Sequence, residues 1–296
     1  MDRYTTAGIL AILFWSSNVA FSRSVAEQLG VLTSGAIMFL GGGLISLVFK
    51  WWHEGNLNFL RRISRRYLFG CGVLFVANVV ALQLAIGIAS SRTQTLIVGL
   101  INYLWPAFSL ILAPVILKKR ARWFLPLGVA LALAGIYLAC THGEFLKPGE
   151  IFSQPVTVAA YGLALIAAMT WGFYSNLSRK WGKDHDGGAI PLFLMVSGAF
   201  MGFLRLFRHE VQSLQPAYPL ELAYVTLFPI ILAFAFWDIG MRRGRMILLI
   251  SLSYFIPLFS TLISSIRLGV SPGIGVWLAA VLIMTGAMTC KLAVSE

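Results

Sequence analysis

The sequence predicts an all-α polytopic membrane protein of about ten transmembrane helices, arranged as two inverted five-helix repeats around a central cavity. Three observations predict it. Apolar residues make up 58% of the 296 positions and charged ones 11%, at a mean hydropathy of +0.82, more apolar surface than a water-soluble domain can bury. Apolar runs of about 20 residues recur from end to end, the length that crosses a hydrocarbon core of about 30 Å. Finally, residues of the first half recur in order in the second.

The spans can be taken in turn. The first, 5 to 22, carries Trp15 and Asn18; no small-x-small cleavage pattern follows it, so it is expected to persist as a membrane helix. The second, 31 to 51, ends at Trp51 and Trp52, and the third, 67 to 88, holds Asn78 and Gln83. Asn102, Tyr103, Trp105 and Pro106 fall within the fourth, 95 to 117, and Trp123 opens the fifth, 123 to 141. The sixth, 156 to 178, bears Trp171 and Tyr174 and is followed by Trp181. After the seventh, 189 to 207, the eighth, 219 to 241, contains Asp238 near its end. Ser253, Tyr254 and Pro257 lie in the ninth, 246 to 266, and the tenth runs from 273 to 292. The connections are short, which leaves no room for a soluble domain.

In a soluble chain, the net charge of +12 would suggest nucleic acid. Here the location of the cations matters instead. With the N-terminus inside, seventeen Lys and Arg fall on the inner side and six on the outer, the asymmetry of the positive-inside rule. Both termini are therefore expected in the cytoplasm. Trp51, Trp52, Trp123 and Trp181 then sit at inner helix ends as interfacial anchors. Cys71, Cys140 and Cys290 lie within apolar runs and suit packing, with neither disulfide nor metal-ligand spacing.

The repeat is legible in register. Tyr103-Leu-Trp-Pro106-Ala-Phe108-Ser109 matches Tyr254-Phe-Ile-Pro257-Leu-Phe259-Ser260 at an offset of 151, and Leu131 and Gly135 map onto Leu282 and Gly286 without a gap. At an offset of 156, Trp15, Ser22 and Arg23 match Trp171, Ser178 and Arg179. The chain thus divides near residue 145 into repeats 1–145 and 146–296 of five spans each. Because five is odd, the second enters the membrane inverted, which is the construction of many secondary transporters.

Several chemistries are excluded. The four histidines are assigned to loops, and the sequence has neither HExxH, a serine nucleophile elbow, nor an intramembrane carboxylate pair. A phosphate-cradling G-x-x-x-x-G-K-[ST] loop is missing as well, and no cofactor is implied. The one compact ionisable cluster, Asp184, His185 and Asp186, reads as a solvated turn; a lipid-modifying enzyme built on it is the different-class alternative.

Substrate-binding candidates are the polar and aromatic side chains at mid-span depth: Trp15, Asn18, Asn78, Gln83, Asn102, Tyr103, Trp105, Trp171, Tyr174, Ser253 and Tyr254. Buried amides and indoles need hydrogen-bond partners, so these must face other helices or a wet cavity. Helix-to-helix gluing is the competing role for each polar member. Pro106 and Pro257 each remove a backbone hydrogen bond in mid-helix, making kinks or hinges. Asp238 could carry a coupling proton, but Arg242 one turn later suits an i,i+4 ion pair, the preferred reading. The lack of mid-depth Lys or Arg argues against strongly anionic substrates.

Ten spans, the inverted halves, Trp15 and the Asn102-Tyr103-Leu104-Trp105-Pro106 run together resemble the drug/metabolite transporter superfamily, EamA type. Within it, Val98 to Pro106 and Trp171 are similar to the YddG-type aromatic amino acid exporters of bacterial inner membranes. That resemblance implies export of aromatic or other apolar amino acids and related metabolites by alternating access, with a multidrug exporter of planar cations as the alternative. Its implied partners are a small-molecule substrate and the lipid bilayer, with no nucleic acid and a monomer as the expected state. The acidic residue that small four-span relatives carry in their first helix is missing here, so their proton exchange is not implied.

Overall fold

The computed structural model describes residues 2–55, 63–140, 154–182, 188–210, 212 and 218–295. Ten helical spans account for almost all of it. They are α1 (Arg3–Leu29), α2 (Val31–Glu54), α3 (Tyr67–Ile88), α4 (Arg92–Asn102 and Trp105–Leu117), α5 (Leu125–Cys140), α6 (Pro155–Gly182), α7 (Ile190–Arg205), α8 (Tyr218–Arg243), α9 (Met246–Leu252 and Ile256–Leu268) and α10 (Ile274–Ala293). Eight are long and apolar enough to cross a membrane, and α5 and α7 are shorter apolar helices. The chain is a multi-pass membrane protein. The join between the repeats near residue 145, His142 and the Asp184–His185–Asp186 cluster lie outside the described residues.

Helix ends depart from the hydropathy reading where polar residues find partners. The α1 helix continues to Leu29, seven residues past the apolar run. Arg23 pairs with Glu27 one turn later at 2.9 Å, and the Ser24 hydroxyl donates to Glu221 at 2.7 Å, so these residues remain helical without water. At the other end Asp2 caps α1, accepting from the amides of Tyr4 and Thr5; hydrogen bonds from Thr5 hold its carboxyl below the ordinary range. Gly30, at φ 85°, lets the chain turn directly into α2. The Glu210 carboxylate caps α2, accepting from the amides of Leu32 and Thr33 at 2.7 and 2.9 Å. His53 belongs to the last turn of α2, not to the following loop, with its ring stacked on Phe49 one turn earlier.

The packing has the symmetry of the repeat. The first helix of the first repeat, α1, packs on α8 and α9; its counterpart α6 packs on α3 and α4. The remaining major contacts join equivalent helices, α2 with α7 and α5 with α10. Without a hydrophobic driving force between helices in lipid, close approach of small residues sets such crossings. The matched glycines Gly135 and Gly286 both lie on the α5–α10 crossing. A Cβ on Gly135 would come within 2.9 Å of the Ala279 carbonyl, and one on Gly286 would overlap the Ala132 amide.

The matched arginines also do the same work at opposite ends of the bundle. Arg23 donates to the carbonyls of Ile86 and Ala89 at the end of α3, at 2.8 and 3.0 Å. Arg179 donates to those of Met241, Arg242 and Gly244 at the end of α8, at 3.1, 2.9 and 3.2 Å. Each guanidinium thus occupies the carbonyls a helix leaves unpaired at its C-terminus, where the dipole favours a cation. The Arg179 end also holds both chain ends. There Thr5 accepts from the Arg245 amide, and the two-residue strands Arg120–Ala121 and Val294–Ser295 pair antiparallel. Trp51, Trp52 and Trp123 are exposed, whereas Trp181 is half-buried against Gly70 of α3.

Candidate functional site

The site begins with two interrupted helices. Sequence placed Pro106 and Pro257 in mid-helix, but each instead begins a new helical segment. The first segment of α4 ends at Asn102. Tyr103 and Leu104 form a tight turn, the Leu104 amide bonding to the Ile101 carbonyl at 3.1 Å, and a second helix starts at Trp105. In α9 a 3-10 turn, Ser253–Phe255, separates the two segments at the matched place. Proline fits the first turn of a helix because its missing N–H would be unpaired there anyway. Both helices are therefore broken where the repeat matches them.

Beside the break in α4 lies a small cavity of about 50 Å³, lined by Trp15, Asn18, Val19, Asn78, Leu82, Asn102, Tyr103, Trp105, Trp171, Phe234 and Ile256. Seven of the eleven residues singled out from sequence meet here: Trp15, Asn18, Asn78, Asn102, Tyr103, Trp105 and Trp171. Ile256, the match of Trp105, lines it as well, so both broken helices border the space. None of the lining side chains is a carboxylate or a cation.

Five of the eleven lining residues are aromatic. The Trp15 ring sits 5.5 Å from Trp171 at 83°, 5.4 Å from Phe234 and 5.3 Å from Trp237, while Trp105 meets Trp237 at 5.1 Å and 82°. Edge-to-face geometry of this kind is the favoured one for aromatic rings. The Trp15 indole donates to the Pro229 carbonyl at 3.0 Å, within a π-helical turn of α8 that frees backbone groups. Phe75, Phe234 and Trp237 were not picked out from sequence. They sit in apolar runs without a matched aromatic partner in the other repeat, and only the neighbouring Asp238 marks Trp237 as unusual.

Four candidates lie off the cavity wall. Tyr174 stacks on Trp171 with centroids 4.7 Å apart, but its hydroxyl turns away and donates to Asp238 at 3.0 Å. Gln83 is buried with its amide nitrogen unpartnered. Ser253 donates to the Ile250 carbonyl at 2.6 Å, and the Tyr254 hydroxyl is buried without a partner.

Asp238 and Arg242 form the ion pair expected from their spacing, at 2.9 Å, and both are almost wholly buried. The other carboxylate oxygen accepts from Tyr67 at 2.7 Å as well as from Tyr174. The Arg242 guanidinium also reaches the Gly182 carbonyl at 3.4 Å. The cluster ties α3, α6 and α8 together on the terminus side of the cavity. An offset of 155, which carries Ile86 onto Met241 and Ala89 onto Gly244, carries Gln83 onto Asp238. The two ends of the bundle share a backbone plan and differ in this side chain.

Comparison with known proteins agrees with this architecture. A solved crystal structure superposes with a TM-score of 0.73 at 27% sequence identity, covering 98% of each chain. The aromatic amino acid exporter YddG of Salmonella typhimurium is 30% identical over 298 aligned residues, covering 99% of this chain and 98% of its own; that of Escherichia coli K12 is 27% identical over 295. The profile of the EamA-like transporter family matches residues 4–141 and 158–290, one stretch in each half. With that match spanning nearly its whole length, the chain belongs to the EamA-like transporter family.

Proposed function

We propose that this transporter exports aromatic or other apolar amino acids across a bacterial inner membrane by alternating access, with both termini cytoplasmic. The observation that carries the reading is the cavity: Trp15, Trp105 and Trp171 surround an uncharged space between two broken helices of opposite orientation. Three indole rings favour a flat apolar group, and the amides of Asn18, Asn78 and Asn102 supply polar contacts for a zwitterion. The names of the Salmonella and Escherichia relatives support the same substrate class. At about 50 Å³ the space holds one or two water molecules. The rings must therefore part to admit substrate, and a closed state between two open ones is what alternating access requires.

The test is counterflow of labelled phenylalanine or tryptophan in proteoliposomes. Wild-type protein should accumulate label, and Trp171→Ala should lower the rate about tenfold or more while the protein remains monodisperse, since stacking worth about 1.5 kcal/mol is lost with the ring. Absence of flux for every amino acid tested, with flux of planar cations instead, would move the assignment to the multidrug reading.

A further inference from the structure

We infer that the break in α4 is the seat of the substrate's α-ammonium group, held by the side-chain oxygen and the backbone carbonyl of Asn102. This rests on the amino acid reading above and adds to it which end of the substrate goes where.

A zwitterion entering a cavity with no ionised wall must have its charges met by dipoles, because an unpaired charge out of water is costly. Of the three lining amides, two are already engaged by the protein, Asn18 accepting from Ser22 at 3.2 Å and Asn78 donating to the Ala167 carbonyl at 2.8 Å. Asn102 is 8% exposed, lines the cavity, and its side-chain oxygen has no hydrogen-bond partner. Its backbone carbonyl would ordinarily accept from the amide four residues on, but that residue is Pro106, which has no N–H. The two amides that follow it bond elsewhere, Tyr103 to Gly99 and Leu104 to Ile101. Asn102 also ends the first segment of α4, where the helix dipole is negative. Two oxygens on one residue at a helix C-terminus match an ammonium, which is a donor only. Broken membrane helices use such carbonyl ends for cations.

The matched position in the other repeat lacks this equipment. Ser253 stands where Asn102 does; its hydroxyl is spent on the Ile250 carbonyl, and its own carbonyl accepts from the Ile256 amide. The seat is one-sided, so the amino group points to α4 and the aromatic ring lies toward Trp15, Trp171 and Phe234.

Competition against labelled phenylalanine counterflow tests this. In wild-type liposomes, unlabelled phenylalanine and 2-phenylethylamine should compete and 3-phenylpropionate, which lacks the amine, should not. Asn102→Ala should weaken phenylalanine competition about tenfold or more and erase its advantage over phenylpropionate, as expected for losing hydrogen bonds to a charged group. Asn102→Asp, which keeps both oxygens, should retain the preference for amines and guards against a folding artefact. Retention of that preference by a monodisperse Asn102→Ala protein would overturn the seat while leaving the amino acid reading intact. Wild-type protein that moves no amino acid would overturn both. A flux that collapses when sodium is replaced by choline, with Asn102→Ala shifting only the sodium requirement, would assign the two oxygens to a metal cation and overturn the proposal.

Discussion

At Asp238 the second repeat carries a carboxylate where the first carries Gln83, and the surroundings of the two differ accordingly. Asp238 has Arg242, Tyr67 and Tyr174 around it, whereas the Gln83 amide nitrogen has no partner. Removing one member of a buried ion pair strands the other, at a cost of about 3 to 5 kcal/mol. Asp238→Ala should therefore destabilise the detergent-solubilised protein strongly, and Asp238→Ala combined with Arg242→Met should recover much of the loss in thermal unfolding. A single variant as stable as wild type would show that the pair holds nothing together. The pair itself was legible in sequence from its i,i+4 spacing. Tyr67 and Tyr174 as its partners were not, since they approach from helices 171 and 64 positions away.

At the scale of the helix, length and hydropathy sufficed to find every span, because a membrane helix must satisfy its own backbone and be long enough to cross. Boundaries were less legible where polar residues pair within the protein, as in α1 beyond Ser22. The prolines announced a disturbance but not its form: a kinked helix and two segments joined at a turn have the same composition. Pro257→Ala adds an amide that can bond to the Ser253 carbonyl in α-helical register, where the Ile256 amide now bonds to it at the tighter spacing, and should favour a continuous α9, lowering transport at least several-fold while thermal stability is kept or raised. Transport at the wild-type rate would argue against a need for the break. At the α5–α10 crossing the repeat foresaw Gly135 and Gly286 as a pair, and contact with backbone atoms on the facing helix explains them. Gly286→Leu has no room and should cost about 1 to 3 kcal/mol or separate the two helices, visible as a lower unfolding temperature.

For the whole molecule, the inverted halves give each end of the bundle its own clamp. The Arg23 end adds further ties: Glu27 pairs with Arg92 at 2.7 Å, and Glu221 pairs with Arg267. The opposite end has Arg179 and the buried Asp238 cluster. With the orientation proposed above, Arg23→Ala should raise the rate at which an external, membrane-impermeant maleimide labels a cysteine placed at Asn18, in a background cleared of native cysteines. Arg179→Ala should leave that rate unchanged or lower it. Equal effects of the two variants would contradict gates at opposite ends. The seven cavity residues foreseen from sequence share a polar or aromatic side chain at mid-depth, and six of them, all but Asn78, lie on spans matched by the repeat. Phe234 and Trp237 lack such a counterpart, so only the folded chain could place them.

The crowding of indoles around the cavity has a photophysical consequence. Four of the nine tryptophans, Trp15, Trp105, Trp171 and Trp237, form a chain with neighbouring ring centres 5.1 to 5.5 Å apart, near enough for their excited states to couple. A solute that wedges these rings apart must weaken that coupling. The near-ultraviolet circular dichroism of the unlabelled protein is thus a built-in meter of cavity occupancy.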